Sequence, residues 1–302
     1  VKFVSRLSAL AAAAGLSLAC HAQTPRPADL RQAQDPQLQR QLEGVVRELG
    51  LEPQVQARRL ALAVVDVTEG AAPRYAAVNG DEMLYAASLP KVAILLAACA
   101  EAEAGRFPLD AIRLQAMTNM IRFSSNEDAT RVLHWVGGQR LLEILQSERF
   151  RLYDAALGGG LWVGKAYGNE GAFQRDPIRN LSHGATAHQV ARLYTLLAQG
   201  QLLGPTFSGI MKEVLSKPGI QHKFVKGLQA RPGVSIYRKS GTWKNFHADS
   251  ALVEYGDRRY VLVGIAEHAE GGEWMVRLAP RLHDILTAPV PAATATPALA
   301  AR

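Results

Sequence analysis

The chain has 302 residues, 48% of them hydrophobic and 20% charged, with two cysteines and a formal net charge of +7 at pH 7. This is globular composition, long enough for one large domain or two intimately packed ones, and it excludes a disordered or fibrous chain. The basic balance suits nucleic acid or an anionic polymer, but no Lys/Arg run is interleaved with aromatics, so a nucleic-acid partner is not expected.

At the N-terminus, Lys2 and Arg6 flank the start of an apolar stretch from Leu7 to Ala19, followed by small residues up to Ala22. That is the pattern of a signal peptide over residues 1–22, so a periplasmic or secreted protein is expected. Losing Lys2 and Arg6 with an acid-free leader leaves a charge of +5. Cys20 has a second reading as the lipid-bearing cysteine of a lipoprotein, with Ser17 where a leucine is usual. Cleavage after Ala22 leaves only Cys99, so no intramolecular disulfide can form, and Cys99 reads as a small buried hydrophobe. Residues 23–36, with Pro25 and Pro27, read as a linker, and residues 289–302 as a low-complexity tail.

Leu38, Leu42, Val45, Val46 and Leu49 recur at helical spacing, which predicts an amphipathic helix over residues 37–49. The β-branched run 59–67 and its hairpin partner 74–79 follow, then a short strand region at 83–87. Helices are expected from Ser88 to about Gly105 and over 110–121, 126–136, 138–146 and 186–197. Strands return over 234–239, 248–255 and 259–267, and a final helix covers 273–286. This order predicts an α/β (α+β) fold over residues 37–288. Residues 37–87 and 200–288 share one antiparallel sheet flanked by helices, and residues 88–199 form a mainly helical part. The cleft between the two parts is the expected ligand site.

Ser88-Leu89-Pro90-Lys91 stands where the strand region gives way to the apolar run beginning at Val92. A serine hydroxyl needs a neighbouring base to act as a nucleophile at neutral pH, and a residue three positions on in a helix lies beside it, so Lys91 rises next to Ser88. Pro90 suits the first turn, and the free N–H groups of a helix start suit a developing oxyanion. The plainer alternative is a serine cap followed by a surface lysine. Further on stand Ser124-Ser125-Asn126 and Lys239-Ser240-Gly241-Thr242, which singly are a helix cap and a strand end.

In the order S-x-x-K, S-x-N, K-[ST]-G, these triplets resemble the penicillin-recognising serine enzymes, and in particular the class A β-lactamases. The stretches Phe123 to Ala129 and Ala185 to Ala191 are similar to that family as well. The resemblance spans about Leu38 to Leu286 and implies a class A β-lactamase/transpeptidase-like fold. It implies Ser88 as nucleophile, with Lys91 accepting its proton or holding a water that does, and the N–H groups of Ser88 and Thr242 as oxyanion hole. It further implies that Ser124 relays a proton to the leaving nitrogen, that Asn126 bonds Lys91 or a substrate amide, and that Lys239, Ser240 and Thr242 receive a substrate carboxylate. Gly241 lets a ligand lie against the strand. No cofactor is implied, and no His, Cys or Asp cluster at metal-ligand spacing appears.

Several positions depart from the family. Glu170, sixteen residues before Thr186, stands at the offset of the glutamate that activates the deacylating water, but Gln174 replaces the usual asparagine and Gly158, Gly159, Gly160 and Gly164 make the loop unusual. A solvent-exposed loop glutamate is the competing reading. An ion pair of Asp176 with Arg175 or Arg179 is expected to tie this loop down. The interval from Ser88 to Ser124 is shorter than usual by about two dozen residues, which predicts a more open cleft mouth. Asp249 falls where an arginine backs the carboxylate site, so that role passes to Lys244, His247, Lys223 or another residue, or goes unfilled. Trp243 reads as packing or cleft wall. The expected protein is a monomeric serine hydrolase opening β-lactam amides, with a small-molecule β-lactam or a cell-wall peptide as substrate. The alternatives are a D,D-peptidase or esterase acting on cell-wall peptides, or a non-catalytic envelope binding protein.

Overall fold

The computed structural model describes residues 29–288; the expected leader, Cys20 and the C-terminal tail lie outside them. The elements in order are α1 (Pro36–Glu48), α2 (Glu52–Gln56), β1 (Leu60–Asp66), β2 (Arg74–Val78), β3 (Leu84–Tyr85), α3 (Lys91–Glu103), α4 (Ala111–Arg122), α5 (Asn126–Val136) and α6 (Gly138–Gln146). Then come β4 (Tyr153–Asp154), β5 (Gly159–Gly160), β6 (Trp162–Val163), β7 (His183–Ala185), α7 (Ala187–Ala198), α8 (Pro205–Leu215), α9 (Phe224–Leu228), β8 (Ser235–Trp243), β9 (Phe246–Tyr255), β10 (Arg258–Glu267) and α10 (Gly271–Thr287).

The main sheet has the order β2-β1-β10-β9-β8, with every neighbouring pair antiparallel. The first strands therefore meet the last, β1 against β10 from Leu60↔Ala266 to Asp66↔Tyr260. All seven residues of β1 are buried because both faces of the sheet are covered, and successive side chains go to opposite cores. Leu60, Leu62 and Val64 pack with Leu38 and Leu42 of α1 and with Met275, Leu278 and Leu282 of α10. Ala61, Ala63 and Val65 face the larger core built on α3 and α7. α3 is buried on every side from Lys91 to Glu101, which is why its sequence is an unbroken apolar run with no amphipathic period.

Three local corrections bear on the site. Residues 29–36 are not a free linker: a 3-10 turn buries Leu30, the Asp35 N–H donates to the Tyr75 carbonyl at 2.9 Å, and the Asp35 side chain caps α1 on the Leu38 N–H. α8 falls in a stretch assigned from sequence to the sheet part, yet it packs on α3 and α4 as well as on β8. The strand expected to end at Lys239 runs on to Trp243, so the whole Lys239–Thr242 motif is strand, at the edge of the sheet. Among the described residues no helix is long and apolar enough to cross a membrane.

Candidate active site

Ser88 lies in a turn rather than in the helix. β3 leads into Ala87, whose φ of 51° is left-handed, and the Leu89 N–H closes back on the Ala86 carbonyl at 3.0 Å. α3 begins only at Lys91, three residues after the expected helix start, with Pro90 as its N-cap. Leu89 is fully buried and pins the turn, while Ser88 is half-buried on the cleft wall. Gly241 is required by this packing: a Cβ there would sit 2.2 Å from the Ala86 carbonyl oxygen and 2.7 Å from the Ser88 nitrogen. The edge strand and the Ser88 turn thus touch through backbone, a closer reason for glycine than room for a ligand.

Lys91 is fully buried, and its Nζ donates to the Ser124 carbonyl at 2.6 Å and to Asn126 Oδ1 at 2.7 Å. Its longer contacts are to the Ser125 carbonyl at 3.3 Å and to Ser124 Oγ at 3.4 Å. Burial pulls its pKa down to about 7, so near neutrality a large fraction of this amine carries no proton. Ser124 has a left-handed φ of 59°, the kind of strained backbone that gathers at functional sites. With that backbone its carbonyl takes Lys91 while its Oγ accepts from Lys239 Nζ at 3.0 Å. Ser125 caps α5 on the Asp128 N–H, which places Asn126 at the first helical position facing Lys91. Lys239 is buried too and also donates to the Ser240 carbonyl at 2.6 Å. Burial first, then the Lys91 and Arg238 charges, hold it well below the ordinary lysine range. Two lysine amines thus converge on one hydroxyl, and among the described residues the Ser88 hydroxyl itself makes no hydrogen bond.

Behind β8, Asp249 and Arg238 form a buried bidentate pair, Nε to Oδ1 at 2.7 Å and Nη2 to Oδ2 at 2.9 Å. Arg238 also donates to the carbonyls of Ile220 and His222, and Asp249 Oδ2 accepts from the Phe224 N–H at 3.0 Å. The pair clamps residues 220–224 against the strand. This brings in Lys223, whose Nζ donates to the Gly241 carbonyl at 2.5 Å, Thr242 Oγ1 at 2.8 Å and the Ala248 carbonyl at 3.0 Å. An ammonium only donates, so Thr242 Oγ1 is the acceptor there and its own proton is free to point elsewhere. Of the residues considered for backing the carboxylate site, Lys223 is the one bonded to the motif; Lys244 lies over the Trp243 ring. His222 adds an Nε2 to Ser240 Oγ contact at 3.2 Å, and burial followed by the Arg238 and Lys223 charges brings its pKa down to about 4. Asp249→Ala strands Arg238 in the interior, and a stability loss of about 3–5 kcal/mol is expected in urea unfolding. A loss under about 1 kcal/mol would mean that Arg238 finds other partners.

The cleft that Ser88 lines has a volume of about 550 Å³ and runs between Asn126, Tyr167, His183, Thr242 and Trp243. Trp243 is about half exposed and forms part of this wall, tilted against Tyr85. Glu170 is not among the lining residues. It is half exposed, and its Oε2 lies 3.1 Å from Nε2 of His134 on α5. The ring of Tyr167 sits beside the amine instead, 4.5 Å from Lys91 Nζ, with its hydroxyl on the Ala87 carbonyl at 3.3 Å. The loop is folded tightly at Gly164, where a Cβ would lie 1.6 Å from the Gln174 carbonyl oxygen. That carbonyl takes the Trp162 indole N–H at 3.0 Å, and the Gln174 side chain is exposed. The expected Asp176 ion pair does not form. Asp176 accepts from the Tyr153 hydroxyl at 2.5 Å and from the Ile178 and Arg179 N–H groups, while Arg179 pairs with Glu82 and Arg175 donates to the Asn180 carbonyl. Among the described residues no His/Cys/Asp/Glu group is placed to hold a metal ion.

The structure therefore brings Lys91, Ser124, Asn126, Lys239, Ser240, Gly241 and Thr242 together around the Ser88 turn and leaves Glu170 outside. Tyr167, His222, Lys165 and His183 carry no mark in the sequence, and Arg175 is marked there only as a partner for Asp176. They sit in loops or beside glycines where no motif singles them out.

No curated protein matches the chain. Among solved structures it is similar to PBP-A, at 17% identity and a TM-score of 0.61, covering 83% of this chain and 95% of that one. It is similar to a β-lactamase from Sphaerobacter thermophilus, at 15% identity and a TM-score of 0.62, covering 84% and 99%. A mutant class A β-lactamase of the last common ancestor of Gram-negative bacteria matches at 20% identity and a TM-score of 0.62, covering 82% and 98%. At these identities the likeness speaks for the fold. The model of the family described as "Beta-lactamase enzyme family" matches residues 38–116 and 111–285. The chain is a divergent member of that β-lactamase family.

Proposed function

We propose that the protein is a serine hydrolase that opens β-lactam amides through an acyl-enzyme on Ser88 and then releases the acyl group slowly. The convergence of Lys91 and Lys239 on Ser124 Oγ, beside a cleft lined by Ser88, carries this reading. Ser88 Oγ attacks the amide carbonyl, and its proton passes to the neutral Lys91 amine. The tetrahedral oxyanion collapses as the C–N bond breaks, and the leaving nitrogen takes a proton by way of Ser124. Lys239, Ser240 and the Lys223-oriented Thr242 hydroxyl hold the substrate carboxylate from the edge strand. Water then cleaves the ester without help from Glu170.

The slow second step follows from position. A general base must come within hydrogen-bond reach of its water, whereas Glu170 is engaged by His134 and the Tyr167 ring occupies the Lys91 flank. Glu170→Gln is therefore expected to leave deacylation unchanged, measured as recovery of activity after removal of excess penicillin. A slowing in the range of about 10²–10⁴-fold, the worth of a positioned base, would restore Glu170 to the mechanism. The same geometry supports a penicillin-binding relative acting on cell-wall peptides; a steady release of terminal D-alanine from such a peptide, faster than penicillin turnover, favours that substrate.

A further inference from the structure

The wall of the cleft beyond Tyr167 carries Lys165 and Arg175 together with Asn180 and Ser182, and no aspartate or glutamate is among the described residues that line it. Elsewhere the surface arginines are mostly taken by acids: Arg31 by Asp29 and Asp81, Arg74 by Asp66, Arg106 and Arg140 by Glu101, and Arg179 on this same loop by Glu82. Lys165 and Arg175 form no such pair among the described residues. The backbone under them is nonetheless fixed. The Lys165 carbonyl lies 2.9 Å from His183 Nε2, Lys165 bridges to Ala172, and Arg175 Nη1 donates to the Asn180 carbonyl at 3.1 Å, which leaves its other N–H groups for a ligand. His183 beneath them is buried, and burial, then the Lys165, Lys91 and Arg175 charges, takes its pKa down to about 4, so it adds no charge of its own near neutral pH.

Resting on the reading of Ser88 as the acylated residue, we propose that Lys165 and Arg175, with Asn180 and Ser182, form a second anion subsite that receives a carboxylate on the acyl side of the substrate. The first carboxylate goes to Lys239, Ser240 and Thr242 on β8, and Ser88 lies on the wall of one cavity with Thr242 at one side and Lys165 and Arg175 at the other. A cavity of about 550 Å³ is of the size that encloses a single small-molecule substrate. The substrate class is thus an acyl donor carrying two carboxylates, one on each side of the scissile amide. Unpaired cations in a cleft free of acids raise the local concentration of such dianions and discriminate against monoanions of the same shape.

The test compares α-carboxybenzylpenicillin with benzylpenicillin, which differ by one side-chain carboxylate. The second-order rate of Ser88 acylation, read by intact-protein mass spectrometry, is expected to favour the dicarboxylate by about tenfold at low salt. The preference shrinks in high salt, as charge attraction at a partly exposed site must. The Lys165→Met/Arg175→Met double variant brings the ratio close to one, whereas Arg277→Met, a charge loss on α10, keeps it. Equal rates in the native protein, or a preference that survives in the double variant, overturn the proposal. Binding of both penicillins to Ser88→Ala, followed by calorimetry, reads the same preference without acylation. If Ser88 is never acylated while this binding preference holds, the hydrolase reading fails and the subsite stands.

Discussion

Ser88→Ala is expected to abolish turnover of a chromogenic cephalosporin. Without the nucleophile no acyl-enzyme can form, and turnover falls to background hydrolysis. The expectation rests on place: Ser88 lies on the cleft wall, at a turn strained at Ala87 and held against Gly241 by backbone contact. Because its hydroxyl bonds no other described residue, the alanine variant strands no partner, and its stability should stay within about 0.5 kcal/mol of native. Loss of turnover with native unfolding behaviour is the predicted combination. Residual turnover above a tenth of the native rate would move the chemistry to another residue.

Lys91→Met has the second-largest expected effect, and it acts on two quantities at once. Acylation slows by at least about 10²-fold, because the proton of Ser88 loses its acceptor. Stability falls by about 1–3 kcal/mol per stranded acceptor, because the Ser124 carbonyl and Asn126 Oδ1 lose the Nζ donor that holds them. The pH dependence has a definite sign. In the proposed mechanism the active form is the neutral amine, and burial brings the Lys91 pKa down to about 7, so native acylation is expected to rise with pH through that region and to be lost on the acid side. The variant should lose this limb. A native profile flat between pH 5 and 9 would contradict the role of Lys91 as base.

Much of the fold was legible because its constraints are local or periodic. The helical spacing of Leu38, Leu42, Val45 and Val46 is the buried face of α1, and the β-branched run from Leu60 to Asp66 is a strand covered on both sides. The short sheet β3-β7-β6 was not legible as such, since its strands have two or three residues and are held by pairing with distant segments. α8 and α9 were missed because each lies among Gly, Pro and Ser and gains its stability from tertiary packing. At the site, the motif residues converge as their order implied. Glu170 shows where offset counting ends: the position is sixteen residues before Thr186, but the side chain meets His134, and Tyr167 sits against Lys91. Lys223 was one of several candidates to back the carboxylate site, and only the buried Arg238–Asp249 pair, formed across two strands, explains why its amine reaches Thr242.

Time-resolved mass spectrometry of the native protein mixed with benzylpenicillin, followed by peptide mapping, shows whether Ser88 is acylated and how long the acyl group stays. The expected result is a gain equal to the whole penicillin mass, carried on Ser88, that outlasts removal of free penicillin, with the same lifetime in Glu170→Gln. Absence of an adduct, an adduct on another residue, or one that persists only in Glu170→Gln would contradict it.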